Sequence, residues 1–369
     1  MEGEAMKRIN QIEPWIGEEE KRALMEYLDS GGWLTEFNKT REFEKLIADY
    51  VGSKYASVVN NGTISLIIAL MALDIGNGNE VIVPDLTMIA SANAVALVGA
   101  KPVLVDIAPS NLCLDLKRAE EAITPRTKAI MYISFNGRCH DMNRVVALAG
   151  KHGLYLIEDA AQSLGTRYQG KHLGAFGEIG SFSFSFPKII TTGQGGALVT
   201  DNEELFRKIS MIKDFGRPQS GVDYHEIMGF NSKFTDLQAV IGIEQMKKLE
   251  WRVKRKKQIY QHYHNLLQDI EQIGFIDTNL DDCSPWFIDI IVKEEGRRDD
   301  LAQFLNERRI GTRPFYPAIH TQPPYSHIKG DFKNSEYISR RGLWLPSSSF
   351  LSDEDIERVC SEIKSFFVS

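Results

Sequence analysis

Short apolar runs alternate with helical stretches between residues 55 and 200, and this alternation restricts the fold more than any other feature. The predicted strands are residues 55–59, 80–83, 102–106, 129–134 and 154–157, and the predicted helices are residues 65–73, 88–98, 116–123 and 143–152. Such an alternation requires crossover connections, which build a mostly parallel sheet with helices on both faces. We therefore predict an α/β fold.

The sequence pattern changes after residue 235. Residues 236–268 form a long, charged stretch of predicted helix, followed by a strand-like segment at 286–292 and helices at 298–308 and 353–367. We interpret the long stretch as a bridge to a smaller α+β domain. The predicted division gives residues 1–245 to an N-terminal segment and a large domain. Residues 246–369 form the bridging helix and the small C-terminal domain.

The charge and composition exclude several classes of function. The chain has 369 residues and a formal net charge of −7, which argues against a nucleic-acid or anionic-membrane surface. No apolar run approaches the length of a membrane span, and residues 1–15 are too charged for a signal peptide or an anchor. The four cysteines are scattered, which favours reduced thiols over disulfides or a zinc site. We expect a cytoplasmic enzyme without a metal centre.

One lysine has a distinctive sequence context. Lys188 follows a run from Ser181 to Phe186 in which Ser and Phe alternate, and it precedes a Thr-Thr-Gly-Gln-Gly-Gly turn at 191–196. A period of two is typical of a strand, so the amine would be held between two short strands. A constrained and partly desolvated amine can form a Schiff base. The alternative is a surface lysine in a hairpin, which this motif alone does not exclude.

A second candidate site follows the first predicted strand. Residues 60–63, Asn-Asn-Gly-Thr, lie between that strand and the next predicted helix. A helix N-terminus offers unpaired N–H groups and a partial positive charge, which suit a phosphate. Gly62 would allow close approach of the backbone, and Thr63 would add a hydroxyl donor. The alternative is a simple helix cap formed by Asn61 or Thr63.

Two adjacent carboxylates, Glu158 and Asp159, lie at the carboxyl end of the predicted strand 154–157. Open α/β sheets bind ligands at this edge. Since side chains alternate along a strand, one carboxylate can face the crevice while the other pairs elsewhere. A carboxylate in the crevice can keep a pyridinium nitrogen protonated, and Ala160 and Ala161 leave room for a flat ring. The alternative is that Asp159 caps the following turn.

A further loop, residues 229–239, enters a predicted helix with Thr235 as its expected N-cap, and its composition alone requires no other role. In this order and spacing, however, the segments together resemble the DegT/DnrJ/EryC1/StrS family of sugar aminotransferases. The most specific parts are Glu-Asp-Ala-Ala-Gln at 158–162 and Lys-x-x-Thr-x-Gly-x-Gly-Gly at 188–196. The resemblance also covers residues 30–35, 61–63, 80–84, 313–317, 320 and 323–325. It implies the type I aspartate-aminotransferase fold and pyridoxal 5'-phosphate as the cofactor.

The resemblance implies a role for individual residues. Lys188 would form the Schiff base with the cofactor and shuttle a proton, and Asp159 would pair with the pyridinium nitrogen. The other implied cofactor residues are Gly62, Thr63 and Ser183 at the phosphate, Gln162 at the ring hydroxyl, Met88 at the ring face, Asn231 at the phosphate of the neighbouring subunit, and Asn61. The active site would therefore be shared across a homodimer.

The resemblance also implies a nucleotide-linked 4-keto-6-deoxy sugar as substrate and L-glutamate as amino donor. The first candidate is the conversion of GDP-4-keto-6-deoxymannose to GDP-perosamine for surface polysaccharides. A UDP- or dTDP-linked 3- or 4-ketosugar is the alternative. The substrate residues expected by this interpretation are Trp33, Thr35, Arg313, Tyr316, His320 and Tyr325. Met88, Ser134, Gln194 and residues 185–187 depart from the usual family pattern, which leaves the choice of sugar open.

Three other classes of protein fit the sequence less well. Relatives with His in place of Lys188 act as dehydratases, because His cannot form the imine. Regulators on this fold carry an added DNA-binding domain, for which we expect no room before Trp33. A nicotinamide dehydrogenase needs a Gly-x-Gly-x-x-Gly turn that opens a helix, whereas residues 193–196 lead into a predicted strand.

Overall fold

The structure is a computed structural model that describes residues 7–368. Its helices are α1 (Glu18–Asp29), α2 (Asn38–Val51), α3 (Gly62–Ala72), α4 (Ala90–Leu97), α5 (Leu116–Glu121), α6 (Met142–Lys151), α7 (Glu203–Lys213), α8 (Asp236–Lys247), α9 (Leu249–Leu267), α10 (Arg297–Glu307), α11 (Lys333–Arg341) and α12 (Asp353–Val368). Its strands are β1 (Tyr55–Val59), β2 (Glu80–Pro84), β3 (Lys101–Val105), β4 (Thr127–Ile133), β5 (Tyr155–Asp159), β6 (Arg167–Tyr168), β7 (Lys171–His172), β8 (Ile179–Ser183), β9 (Gly196–Thr200), β10 (Ile273–Gly274), β11 (Ile288–Val292), β12 (Arg313–Pro314) and β13 (Gly342–Leu345).

Seven strands form the central sheet in the order β1-β9-β8-β5-β4-β2-β3. The neighbours from β8 to β3 pair in parallel, and β9 runs antiparallel to both β1 and β8. The predicted α/β fold with a mostly parallel sheet is therefore confirmed. The five strands predicted between residues 55 and 157 are all present, within three residues at each end.

The central sheet is buried on both faces, as the apolar runs of its strands predict. Val81 and Val83 of β2 belong to one apolar core, whereas Ile82 between them belongs to another on the opposite face. The same alternation separates Met131 of β4 from Tyr132. Because side chains of a strand point alternately to the two faces, helices must cover both sides of this sheet.

The C-terminal part contains a four-stranded antiparallel sheet in the order β10-β11-β13-β12. It shares an apolar core with α9, α10 and α12, which agrees with the predicted α+β character. The stretch predicted as one bridge is two helices, because α8 ends at Lys247 and α9 begins at Leu249. The domain division at 245 and 246 stays a prediction, and residues 1–6 and 369 lie outside the described residues.

The alternating Ser-Phe run is shorter as a strand than its pattern predicts. β8 ends at Ser183, and residues 184–195 form a looped connection to β9. Pro187 has no N–H to donate to a strand partner, and the N–H of Lys188 turns back to the Ser185 carbonyl at 3.0 Å. Lys188 therefore lies in a folded loop beyond the sheet edge. Among residues 7–368, no helix has both the length and the apolar character needed to cross a bilayer.

Candidate functional site

The sheet topology brings three of the predicted site segments to one edge. β1, β5 and β8 run in the same direction, so their carboxyl ends lie together. Gly62 follows β1 by three residues, Asp159 ends β5 and Ser183 ends β8. The Lys188 loop begins directly after Ser183. This edge is the position at which open α/β sheets bind ligands.

The N-terminus of α3 packs closely against the end of β8. The Asn61 side chain caps the helix by accepting a hydrogen bond from the Ile64 N–H at 2.9 Å. A Cβ atom at Gly62 would come within 2.9 Å of the Ser183 Cβ, so only glycine fits this contact. The N–H groups of Gly62 and Thr63 have no helical carbonyl to receive them. They lie beside the Ser183 hydroxyl as a set of donors suited to a phosphate.

The two adjacent carboxylates have different surroundings, as the strand alternation predicts. The Glu158 carboxylate accepts hydrogen bonds from the N–H groups of Gly174, Phe176 and Gly177 at 2.6–2.8 Å. The Asp159 carboxylate instead accepts from the Ser91 hydroxyl at 2.8 Å and the Ala161 N–H at 3.2 Å. Glu158 therefore holds a loop in place, and Asp159 remains the carboxylate of the site.

Burial shifts the ionisation of Asp159 and Lys188 in opposite senses. Burial raises the pKa of the Asp159 carboxyl, while the Ser91 hydroxyl, the Ala161 N–H and the Lys188 charge lower it. Burial lowers the pKa of the Lys188 amine to about 8, against the attraction of Asp159 and with the repulsion of Arg313. The two groups are electrostatically coupled. A lysine with a lowered pKa is available as a nucleophile near neutral pH.

Gln162 is oriented by a backbone donor. Its Oε1 atom accepts a hydrogen bond from the Asn136 N–H at 2.7 Å, which leaves the Nε2 group as a donor toward a ligand. Asn136 has a left-handed backbone, with φ of 54°, and its side chain bonds to Phe287 and Asp289. Asp289 in turn forms a buried bidentate ion pair with Arg138, at 2.6 and 2.8 Å. This network fixes the amide of Gln162.

Three more predicted residues lie around the coupled pair. Met88 is about half exposed just before α4, and its carbonyl accepts from the hydroxyl of Ser91. The Arg313 guanidinium lies 5.5 Å from the centre of the Tyr316 ring. Burial raises the pKa of Tyr316, which Arg313 lowers and Asp159 raises. Arg313 and Tyr316 therefore lie close enough to interact electrostatically with Lys188 and Asp159, respectively.

Two predicted substrate residues are engaged with protein partners. The His320 Nδ1 atom is hydrogen-bonded to the Asp85 carboxylate at 2.7 Å, and its Nε2 lies 3.4 Å from a carboxylate oxygen of Glu336. The buried Tyr325 donates its hydroxyl proton to Asn93 at 2.7 Å. These contacts join the segment 319–325 to the large sheet and to α4. Substrate contacts for both residues stay a prediction.

The remaining predicted residues, Trp33, Thr35 and Asn231, line a different cavity from Lys188. That cavity has a volume of about 710 Å³ and is also lined by basic side chains, among them Lys213 and Lys233. The ring of Trp33 is exposed and stacks on Phe37 at 5.5 Å. Within a single chain, the structure thus does not bring these three residues into the cavity that holds Lys188.

Sequence reasoning missed two residues of the site. Ser91 donates a hydrogen bond to Asp159, which lies 68 residues further along the chain, and no local pattern relates the two. Trp286, just before β11, packs its ring against the amine of Lys188. No local pattern relates Trp286 to Lys188, because they are distant in sequence and meet only through tertiary packing.

Comparisons with known proteins agree with this geometry. The family model described as "DegT/DnrJ/EryC1/StrS aminotransferase family" matches residues 14–364. Two curated relatives named GDP-perosamine synthase, from Caulobacter vibrioides and Escherichia coli O157:H7, are 36% and 34% identical. Each match covers 98% of this chain and 99% of the relative. The solved structure of DesV from S. venezuelae, in complex with a ketimine intermediate, is 34% identical with a TM-score of 0.89, and the match covers 95% of this chain and 94% of that one.

Proposed function

The chain belongs to the DegT/DnrJ/EryC1/StrS aminotransferase family, and we propose that it transfers an amino group from L-glutamate to a nucleotide-linked 4-keto-6-deoxy sugar. The family membership makes it a sugar aminotransferase that depends on pyridoxal phosphate. The observation that carries the proposal is the coupled pair of Lys188 and Asp159 at the carboxyl edge of the sheet, beside the open N-terminus of α3.

The residues at this edge fit pyridoxal phosphate. The first N–H groups of α3 and the hydroxyls of Thr63 and Ser183 would hold the phosphate. Asp159 would accept from the protonated ring nitrogen, and Gln162 would donate to the ring hydroxyl. When bound, this cofactor supplies an electron sink for the carbon that loses its proton.

Two side chains of the protein would hold and move the protons of the reaction. The Asp159 carboxylate, fixed by Ser91, would keep the proton on the ring nitrogen, because a buried negative charge favours a neighbouring positive one. The Lys188 amine would remove a proton from one carbon and deliver it to another, since its pKa near 8 suits a general base at neutral pH. The surrounding apolar packing would limit the access of water.

We also propose a homodimer in which Asn231 acts on the site of the neighbouring subunit. Trp33, Thr35 and Asn231 line a cavity separate from Lys188, which a second copy could bring together with it. Several large apolar side chains of the same part of the chain are exposed, including Met228 at 82% and Tyr224 at 62%. Large exposed apolar surface marks interaction sites, which supports association of two copies.

For the sugar, the proposal is GDP-4-keto-6-deoxymannose, with GDP-perosamine as the product. Both curated relatives described above carry the name GDP-perosamine synthase over nearly the full length. Arg313, near Lys188, and Lys233, in the second cavity, offer cations for the diphosphate of a sugar nucleotide. A UDP- or dTDP-linked ketosugar is the second candidate, because Met88 and Ser134 depart from the usual family pattern.

Steady-state assays with glutamate and each ketosugar test the substrate. We expect the largest kcat/KM for the GDP-linked sugar, with the amino group transferred to its carbon 4. A kcat/KM for the GDP sugar about a hundredfold below that for a UDP or dTDP sugar corresponds to roughly 2.7 kcal/mol less transition-state binding. This result would reject the GDP assignment. Transfer to none of the three sugars would reject the nucleotide-sugar proposal.

A further inference from the structure

The amine of Lys188 lies over the face of an indole ring. Its Nζ atom is 3.9 Å from the centre of the Trp286 ring, well within the roughly 6 Å range of a cation–π contact. None of the described residues accepts a hydrogen bond from this amine. Trp286 is itself only 3% exposed, so the contact lies in a desolvated place where such an attraction is strongest.

The same tryptophan also binds the backbone that carries the lysine. The Nε1–H group of Trp286 donates to the Pro187 carbonyl at 2.7 Å, one residue before Lys188. One side chain therefore contacts both the amine and the adjoining peptide group. Because Trp286 contacts both the Lys188 amine and the carbonyl just before this residue, Lys188 has little freedom to move relative to the ring.

The indole ring is firmly packed in its turn. It stacks on Phe287 with 3.9 Å between ring centres, and it meets Trp344 edge-on at 5.9 Å. The Trp286 carbonyl accepts from the buried Lys256 amine of α9 at 2.8 Å. These contacts fix the ring from the C-terminal sheet and from α9, so the position of Lys188 depends on how the C-terminal part packs on the loop.

We propose that Trp286 is a positioning residue that holds the Lys188 amine when this amine carries a proton and is not bonded to the cofactor. With the cofactor bound, this amine would alternate between a bonded and a free state during turnover, and it would have to return to the same place each time. The negative face of the indole would give the free amine a fixed location once it has taken up a proton, and this attraction compensates in part for the water that the charge has lost. The inference rests on the aminotransferase chemistry of the family and is independent of the sugar.

Other charged groups lie around Lys188, and those closest to it also act on its pKa. Asp159 attracts the ammonium from β5, and Arg313 repels it from β12. On the other side of the lysine, a small cavity is lined by Arg252 and Lys256 of α9 and by Glu13. All of these remain in place when only Trp286 is replaced, so a change in Lys188 can be assigned to the ring.

The test measures the pKa of Lys188 in full-length protein freed of cofactor by treatment with hydroxylamine, which takes the aldehyde as its oxime, followed by dialysis. The pKa is read from the pH dependence of Lys188 acetylation, followed by mass spectrometry. Trp286→Leu removes the aromatic face, so the pKa of Lys188 should fall by about one unit, which is a tenfold change in the proton affinity. Trp286→Phe keeps a face but loses the N–H donor, and it should retain most of the wild-type value. Trp251→Leu is the matched control, because Trp251 is half exposed on α9 and should leave Lys188 unchanged.

A second measurement covers the case in which Trp286→Leu does not fold. Fluorinated tryptophans weaken the negative face of the ring while they keep its shape, so their incorporation should lower the pKa of Lys188 stepwise. An unchanged pKa in this series and in the folded Trp286 variants would overturn the proposal. So would equal falls for Trp286→Phe and Trp286→Leu, because the N–H contact would then be the group that matters. None of these measurements uses a sugar, so failure of the substrate assignment is seen separately in the kinetic assays.

Discussion

At the scale of single residues, two neighbouring carboxylates have separate tasks. Glu158 is fully buried and accepts three backbone N–H groups, which anchors the segment 174–177. Within residues 7–368, the Asp159 carboxylate accepts hydrogen bonds from Ser91 and Ala161 alone, and the charge of Lys188 lowers its pKa. The strand places adjacent side chains on opposite faces, so one carboxylate serves the fold and the other serves the site.

The matched pair Asp159→Asn and Glu158→Gln separates these two tasks. Asp159→Asn should lower kcat by about a hundredfold or more, because a neutral amide cannot hold the proton of the ring nitrogen. Its melting temperature should change little. Glu158→Gln should lower the melting temperature instead, because an amide nitrogen would face backbone donors. Near-normal kcat in Asp159→Asn would show that another acid contacts the ring.

At the scale of elements, the contact between α3 and β8 defines the phosphate end of the site. Gly62→Ala would place a Cβ within 2.9 Å of the Ser183 Cβ, so the helix and the strand must move apart. We expect weaker cofactor binding, measured as the cofactor concentration that restores half of the activity. Gly150→Ala, in α6 and with open space around it, should bind cofactor normally. Equal cofactor affinity in the two variants would remove Gly62 from the site.

Lys256 of α9 is buried, and its burial makes the free energy of unfolding depend on pH. Burial, and then the charge of Arg252, lower the pKa of Lys256 to about 7 from its ordinary 10.5. Between pH 7 and pH 10.5, Lys256 binds a proton in the unfolded chain but not in the folded chain. The free energy of unfolding should therefore rise with pH in this range. The slope is about 1.4 kcal/mol per pH unit at most. Lys256→Met should flatten the slope in denaturant titrations, whereas Lys254→Met, exposed on the same helix, should not. An unaltered slope in Lys256→Met would contradict this assignment.

The sequence predicted the elements better than the contacts between them. The strand limits 55–59 were predicted to the residue, because an isolated apolar run between polar turns has a local signal. The alternating pattern continues to Phe186, but β8 ends at Ser183, because Pro187 and a local turn override the pattern. The clustering of Gly62, Asp159 and Lys188 followed from strand direction together with family-like motifs. The contact of Trp286 with Lys188 has no local signal, because it depends on how the C-terminal part packs on the loop.

At the scale of the whole molecule, the proposed homodimer would complete each site with the Asn231 of the other subunit. A chain with Lys188→Ala and a chain with Asn231→Ala should each be inactive alone. In a mixed dimer, one site carries both lesions and the other carries neither. Random mixing should therefore restore about one quarter of the wild-type sites, since half of the dimers are mixed. Mixed samples as inactive as the parents, or an active monomer by light scattering, would refute the shared site.

The central claim is that Lys188 is the residue that bonds to pyridoxal phosphate. Borohydride reduction of the cofactor-loaded protein, followed by proteolysis and mass spectrometry, tests it directly, because reduction makes the bond to a lysine permanent. We expect the cofactor mass on the peptide that contains Lys188, and no labelled peptide from Lys188→Ala. Labelling of a different lysine, or a loaded wild-type protein with no labelled peptide, would contradict the account.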